Sequence, residues 1–178
     1  MATTTYKHYN ANPEGLNIDD CVIRALTVAT GEDYYDILNE IVDYAAEITG
    51  RTAAMCRDRI QKGPGVTTRA TARFMAARSW QEIRPIDSQY AVGKRATFRL
   101  EYMPANCVVV LRRHTAAIQY GEVVDTWDSV RKGTHKLYRY FVPPTSDETA
   151  DSYWVRRATY TARKRGGRAD TYLLSKLA

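Results

Sequence analysis

The spacing of apolar residues along the first half of the chain predicts four helices. Apolar side chains recur every three or four positions, which is the period of a helix that buries one face. The pattern covers residues 21–30, 34–48, 53–60 and 67–78. The first of these stretches contains few polar residues, so we expect this helix to be buried on most sides.

Helix-capping residues stand at the predicted ends of the first two helices. Asp19 or Asp20 precedes the first helix, and Gly31 ends it. Asp33 precedes the second helix. An aspartate at this position accepts hydrogen bonds from the free N–H groups of the first turn, and glycine readily adopts the left-handed conformation that ends a helix. The first helix is therefore expected to begin at Cys21.

In the second half, short segments rich in β-branched and aromatic residues predict strands. The segments cover residues 106–111, 114–120, 123–127 and 136–142. A glycine-containing turn joins the middle two segments and is typical of a tight hairpin. Helices followed by an antiparallel sheet indicate the α+β class.

The length and composition fit one compact domain followed by a tail. The chain has 178 residues, of which 44% are hydrophobic and 26% are charged, as is typical of globular proteins. We expect the domain to cover residues 6–142, a linker to cover 143–151 and a basic, aromatic tail to cover 152–178. The tail accounts for the whole net charge of +6.

The basic residues of the tail are interleaved with tyrosine and tryptophan. Lysine and arginine pair with phosphates and aromatic rings stack on bases, so the composition is compatible with sequence-tolerant binding of nucleic acid. An acidic protein partner fits the same charges, and so does a solvated surface. The candidate contact residues are Arg156, Arg157, Arg163, Lys164, Arg165 and Arg168.

The chain lacks the features of several other classes. No apolar run reaches the ~18 residues that a membrane span needs, and the opening MATTTYKHYNANPEG has no apolar stretch typical of a signal peptide. Three cysteines are too few for a disulfide framework. The histidines show no zinc-ligand spacing, and His8 and His135 are expected at the surface.

Cys21, His114 and Asp125 form a candidate catalytic set. Cys21 begins the first helix, where unpaired N–H groups and the positive end of the helix dipole favour a thiolate. His114 begins a strand, and Asp125 lies on the returning strand of the hairpin. A thiol, an imidazole and a carboxylate in contact act as nucleophile, base and orienting group. Cys56 and Cys107 lack such partners and are expected to be packing residues.

The hairpin register decides which carboxylate meets His114. With a two-residue turn such as Tyr120-Gly121, the odd-numbered residues of the second strand share a face with His114. Asp125 then lies on that face, and Asp128 lies on the other. A three-residue turn would reverse the assignment and select Asp128, but two-residue turns are commoner and favour Asp125.

The segments NIDDCVIRAL at 17–26 and HTAAIQYGEVVDTWDS at 114–129 resemble the papain-like cysteine peptidase superfamily. Within it, the chain is most similar to small bacterial and phage proteins of the bacteriocin-peptidase-like or NlpC/P60-like kind. The shared features are D-C-x-x-R-A on the helix, G-V-T-T-R-A-T-A-R-F-M before a tryptophan, and a hairpin that runs from the histidine to D-T-W-D. The likeness covers roughly residues 10–142.

This resemblance implies a papain-like fold, with the cysteine on a central helix packed on a C-terminal antiparallel sheet. It also implies hydrolysis of an amide or related acyl bond through a thioester, with Cys21 as nucleophile, His114 as base and then acid, and Asp125 as orienting group. The Cys21 backbone N–H is expected to bind the oxyanion, with Asn17 in place of the family's upstream glutamine. This chemistry requires no metal or organic cofactor.

Two classes of function follow. The first is a peptidase or amidase of bacterial or phage origin, acting on a peptide or amide substrate in the cytoplasm of a bacterial host or attached to a virion. The second is a non-catalytic interaction protein on the same scaffold, whose tail binds nucleic acid, a virion component or a host factor. Thiol labelling of Cys21 that depends on His114 distinguishes the two.

Overall fold

The computed structural model describes residues 6–16, 18–61, 67–91, 93–129 and 135–164. Within these ranges the chain forms five helices and a six-stranded sheet, which confirms the predicted α+β class. No helix in the described ranges is both long and apolar enough to cross a membrane. The helices are α1 (Cys21–Thr30), α2 (Tyr34–Thr49), α3 (Ala53–Gln61), α4 (Thr67–Ala77) and α5 (Ala150–Lys164).

The six strands form one sheet, hydrogen-bonded in the order β1-β5-β4-β3-β6-β2. Their bounds are β1 (Tyr6–His8), β2 (Gln81–Ile83), β3 (Cys107–Leu111), β4 (His114–Gln119), β5 (Glu122–Asp125) and β6 (Leu137–Val142). Neighbouring strands are antiparallel, except that β1 runs parallel to β5. The sheet is therefore mixed rather than antiparallel as expected. The sequence did not reveal β1 and β2, because strands this short show no clear alternation.

Helices cover both faces of the sheet. On one face, the first four helices share a core with Val108, Ala117 and Phe141 of the sheet. On the other face, α5 and the irregular segments between β2 and β3 form a second core with the alternate residues of the same strands. The alternation of buried residues to both faces follows from the two-residue period of a strand. Such a sheet holds its strand ends in fixed positions.

α5 packs on the second face of the sheet. Residues 150–164 are therefore part of the folded domain, where the sequence predicts a linker and a tail. Tyr153 and Trp154 are fully buried. The Trp154 Nε1–H donates to the Pro85 carbonyl at 2.8 Å, and the Tyr153 hydroxyl donates to the Thr97 carbonyl at 2.9 Å. These two aromatic residues are therefore core residues and not part of a nucleic-acid-binding tail. Residues 165–178 lie outside the described ranges.

Candidate active site

α1 begins at Cys21, as the sequence predicts. Cys21 is nearly buried, with 6% of its surface exposed. The start of a helix carries N–H groups without helical partners and a partial positive charge, both of which favour an anion. Asp20 occupies the cap position, but its side chain forms no capping hydrogen bond. Asp20 therefore occupies the predicted cap position, but the predicted capping hydrogen bond is absent.

The Asp20 carboxylate belongs instead to a buried polar network at the start of α1. It pairs with the Arg24 guanidinium one helical turn later. It also accepts hydrogen bonds from the Tyr34 hydroxyl at 2.6 Å and from the Asn12 side-chain amide at 2.8 Å. Asp20 and Arg24 are both buried, and a buried charge without a partner is costly. This requirement explains why Asp20 pairs with Arg24 rather than with the helix N–H groups.

β4 and β5 form the hairpin that carries the other two candidates. Gln119 pairs with Glu122, so the turn consists of Tyr120-Gly121. Both turn residues have positive φ values, 53° and 80°, as two-residue turns between twisted strands require. This register confirms the predicted two-residue turn, in which Asp125 and His114 share a face.

His114 and Asp125 form a buried hydrogen-bonded pair. Their Nε2–Oδ2 distance is 2.5 Å, and the side chains are 9% and 4% exposed. The second carboxylate oxygen, Asp125 Oδ1, accepts a hydrogen bond from the Thr126 backbone N–H at 2.7 Å. The Asp125 backbone is also fixed, because its carbonyl accepts from the Tyr9 N–H at 2.8 Å beside β1. The short strand that the sequence did not reveal thus helps to position the carboxylate.

α1 packs on β4, and Cys21 at the start of α1 raises the pKa of His114 at the start of β4, so the three candidate side chains lie together. Burial lowers the His114 pKa, but the hydrogen bond to Asp125 and the interaction with Cys21 outweigh burial and raise the pKa from 6.5 to about 9. The ring is therefore protonated at neutral pH. Because Nε2 is bonded to Asp125, Nδ1 is the ring nitrogen left for the thiol.

Trp127 packs on the imidazole of His114, as a residue beside the site. The two ring centroids are 4.8 Å apart, and Trp127 is 42% exposed. His135 meets the Trp127 ring edge-on at 5.8 Å. This contact makes His135 partly buried rather than a surface residue as expected, whereas His8 is exposed. Trp127 therefore covers part of the His114 ring.

The other cysteines and the predicted oxyanion residue stand apart from this set. Cys56 and Cys107 are buried, as expected for packing residues. Burial raises the pKa of Cys107, which keeps it a neutral thiol. Asn17 lies outside the described residues. The backbone N–H of Cys21 is thus the one predicted oxyanion donor that lies within the described part of the chain.

The basic residues of α5 differ in their surroundings. Arg156 pairs with Glu148 and donates to the Tyr102 carbonyl at 2.6 Å. Its guanidinium is therefore engaged within the fold, which corrects its assignment as a contact for nucleic acid or another partner. Arg157 is partly buried and donates to the Arg95 backbone carbonyl. The remaining candidates are Arg163 and Lys164, which are exposed, and Arg165 and Arg168, which lie outside the described residues.

Comparisons of the chain with protein-family models, curated proteins and solved structures found no match. Within the described residues, no group of three or more histidine, cysteine and acidic side chains is arranged so that it could hold a metal ion. The chemical capacity of the site is therefore inferred from its own residues. A cysteine sulfur, an imidazole and a fixed carboxylate grouped in this way can exchange one proton between the ring and a nucleophilic sulfur.

Proposed function

We propose that the protein is a cysteine-dependent hydrolase, a peptidase or amidase with a papain-like arrangement of its catalytic residues. The main support is the grouping of Cys21, His114 and Asp125, in which His114 is hydrogen-bonded to Asp125 and α1 packs on β4, so that Cys21 raises the pKa of His114. The sulfur also stands at the start of a helix, where negative charge is stabilised. These features together are the general requirements of thiol-mediated acyl transfer.

The first half of the proposed reaction forms a thioester. The protonated His114 ring holds the proton given up by the Cys21 thiol, and the sulfur attacks the carbonyl carbon of the amide. The resulting tetrahedral intermediate carries a negative oxygen. When it collapses, the carbon–nitrogen bond breaks, His114 gives its proton to the leaving amine, and the acyl group stays on the sulfur.

The second half of the reaction consumes water. His114, now neutral, removes a proton from a water molecule as its oxygen attacks the thioester carbon. The carbon–sulfur bond then breaks and the carboxylic acid leaves, so that the Cys21 sulfur is free again and His114 keeps the proton that it took from water. The sum is the hydrolysis of one amide bond, with the protein returned to its starting state.

Asp125 and the start of α1 supply the electrostatic support for these steps. The Asp125 carboxylate holds the imidazole in one orientation and stabilises its positive charge. The Cys21 backbone N–H, at the positive end of the helix, is suited to donate to the negative oxygen of the intermediate. Because Asp20 makes no capping bond, its side chain does not compete for this donor.

Thiol labelling tests this proposal. The protein is treated with iodoacetamide at neutral pH, and the modification of each cysteine is followed by peptide mass spectrometry. We expect Cys21 to react much faster than Cys56 or Cys107. Exposure alone could produce part of this difference, because Cys21 is 6% exposed and Cys56 is fully buried.

The His114→Gln variant separates reactivity from exposure. Glutamine keeps a polar side chain at this position but cannot accept and return the thiol proton. We expect the Cys21 rate to fall by about tenfold or more, within the range of a lost base. An unchanged rate in this variant would contradict the proposal and favour the non-catalytic interaction protein. Thermal unfolding of both proteins checks that the variant is folded.

A further inference from the structure

Six basic residues outside the proposed catalytic set lie on adjoining surface segments, which we call the basic strip. Five of them are exposed and the sixth, Arg157, is partly buried. Among the residues that the structure describes, none of the six forms an ion pair with a carboxylate. The strip consists of Lys94, Arg95, Arg112, Arg113, Lys136 and Arg157.

Hydrogen bonds between the segments make the strip continuous. The Arg112 N–H in the β3–β4 turn donates to the Lys136 carbonyl at 3.2 Å. Lys136 in turn pairs with Thr97 in an isolated antiparallel bridge. On the far side of this segment, the Arg157 Nη1 of α5 donates to the Arg95 carbonyl at 2.9 Å. The path therefore leads from the β3–β4 turn to α5 without a break.

The far end of the strip concentrates positive charge around one ring. The Arg157 guanidinium lies 4.9 Å from the Trp154 ring centroid, and the Lys94 ammonium lies 5.8 Å from it. Two nearby acids are already engaged, since Glu148 pairs with Arg156 and Asp151 accepts a hydrogen bond from the Ser88 hydroxyl at 2.6 Å. Like charges held close together repel, and a bound anion would relieve this repulsion.

The near end of the strip reaches the proposed catalytic set. Arg112 and Arg113 form the turn that leads directly into His114 at the start of β4. Both arginines are exposed, whereas His114 is buried beside Asp125. An anionic group bound along the strip would therefore be held next to the site of acyl transfer.

We propose that the basic strip binds an acidic segment of a polypeptide substrate and so selects amide bonds that lie beside clustered aspartate or glutamate. This inference rests on the hydrolase function proposed above and specifies its substrate class. The strip crosses four adjoining segments, about 20 Å in all at the usual spacing of neighbouring strands and helices. An extended polypeptide covers this distance with about six residues, at ~3.3 Å per residue.

The aromatic residues along the strip favour a polypeptide over a nucleic acid. Proteins that bind single-stranded nucleic acid combine positive charge with exposed rings on which bases stack. Trp154, the ring beneath Arg157 and Lys94, is 1% exposed. Tyr138 is 41% exposed, but the Lys136 ammonium lies 4.7 Å from its ring centroid and covers the ring. Trp127, beside the near end of the strip, is 42% exposed but packs on the His114 and His135 rings, so the strip offers much charge and little free stacking surface.

Binding to a model peptide tests this inference. The full chain with Cys21→Ala is titrated against fluorescein-labelled octaglutamate at low salt, and fluorescence anisotropy gives the dissociation constant. We expect the double substitution Arg95→Glu with Lys136→Glu to weaken peptide binding by about tenfold. We also expect added salt to weaken the binding of the peptide to the parent protein. The control is Arg51→Glu with Arg59→Glu, which makes the same charge change at exposed positions around α3, on the face of the sheet that α1 to α4 cover. Its affinity should match that of the parent protein.

The outcomes separate this inference from the proposed function. If the strip pair and the control pair weaken peptide binding equally, or if the peptide does not bind at all, the proposed role of the basic strip is wrong, even if Cys21 proves reactive. If binding depends on the strip but Cys21 is unreactive, the proposed hydrolase function is wrong, and the strip remains a binding surface for acidic polypeptides. Strip-dependent binding of an octathymidylate at least tenfold tighter than the peptide would overturn the choice of polypeptide. Thermal unfolding, and the milder pair Arg95→Gln with Lys136→Gln, guard against misfolded variants.

Discussion

His114 and Asp125 are both almost completely removed from water, and each is tolerated there because the other is present. Burial alone would lower the His114 pKa and leave the ring neutral at neutral pH. The hydrogen bond to Asp125, at 2.5 Å, reverses that tendency together with the Cys21 contact. The protonation state of His114, and with it the proposed chemistry, therefore depends on the Asp125 carboxylate as well as on Cys21.

The variant Asp125→Asn tests this dependence. Asparagine keeps the size and a hydrogen-bonding oxygen but loses the negative charge, so we expect the His114 pKa to fall from about 9 to well below that value. An NMR titration of the histidine ring measures the change. Asp128→Asn is the matched control and should leave the His114 titration in place. A fall with Asp128→Asn and none with Asp125→Asn would reverse the assignment.

The sequence predicted Asp125 because its position depends only on the parity of a hairpin. Alternation along the strands and a glycine in the turn leave few registers, and the structure has one of them, the Tyr120-Gly121 turn. The partner of Asp20 was beyond such local reasoning. Asp20 follows a local cap rule, but a buried arginine one turn away competes for it, and that burial depends on packing from distant parts of the chain.

At the scale of elements, α1 was the most predictable part of the molecule and α5 the least. The apolar residues of α1 recur with a helical period, and Gly31, with φ 73°, ends the helix as expected. In α5, arginine and tyrosine alternate with apolar residues, so the sequence resembles a basic tail. Its helix is stabilised by packing of Tyr153 and Trp154 on the sheet, which is a long-range effect.

Replacing the main packing residue of α5 tests its role. Trp154 is 1% exposed and donates a hydrogen bond to the Pro85 carbonyl. We expect Trp154→Ala to reduce the free energy of unfolding by about 3–5 kcal/mol, because it leaves a large cavity. Urea denaturation measures the change.

The control for this prediction is Tyr138→Ala. Tyr138 is a large aromatic residue that is 41% exposed, and its loss should cost less than about 1 kcal/mol. Similar small effects of both substitutions would mean that α5 is the dispensable tail that the sequence first indicated.

At the scale of the whole molecule, the proposed site lies where a helix start and two strand ends meet. α1 packs on β4, and the Gln119 side chain at the end of β4 donates to the Val28 carbonyl near the end of α1. Helix and strand are thus fixed against each other at one end while Cys21 and His114 meet at the other. A site built on packed elements holds its geometry better than one built on loops.

The stability of the whole protein should depend on pH through His114. The folded state raises the His114 pKa from 6.5 to about 9, so folding favours the protonated ring. This stabilisation is fully present below about pH 6.5, decreases between about pH 6.5 and 9, and is absent above that range. Its largest value is about 3 kcal/mol.

Urea denaturation at about pH 6 and about pH 10 measures this contribution. The wild-type protein should lose more stability over this range than the His114→Gln variant does. The difference between the two proteins removes the contributions of other titrating groups. Parallel pH curves for the two proteins would show that His114 is not stabilised in its protonated form.

Acyl transfer to Cys21 is the most direct test of the central claim. The protein is mixed with nitrophenyl acetate, an activated ester that donates an acetyl group, and intact mass with peptide mapping locates the adduct. We predict one hydroxylamine-sensitive acetyl thioester on Cys21, formed much more slowly in His114→Gln and in Asp125→Asn. No adduct on Cys21, or one that forms equally fast in both variants, would contradict the proposed catalytic set.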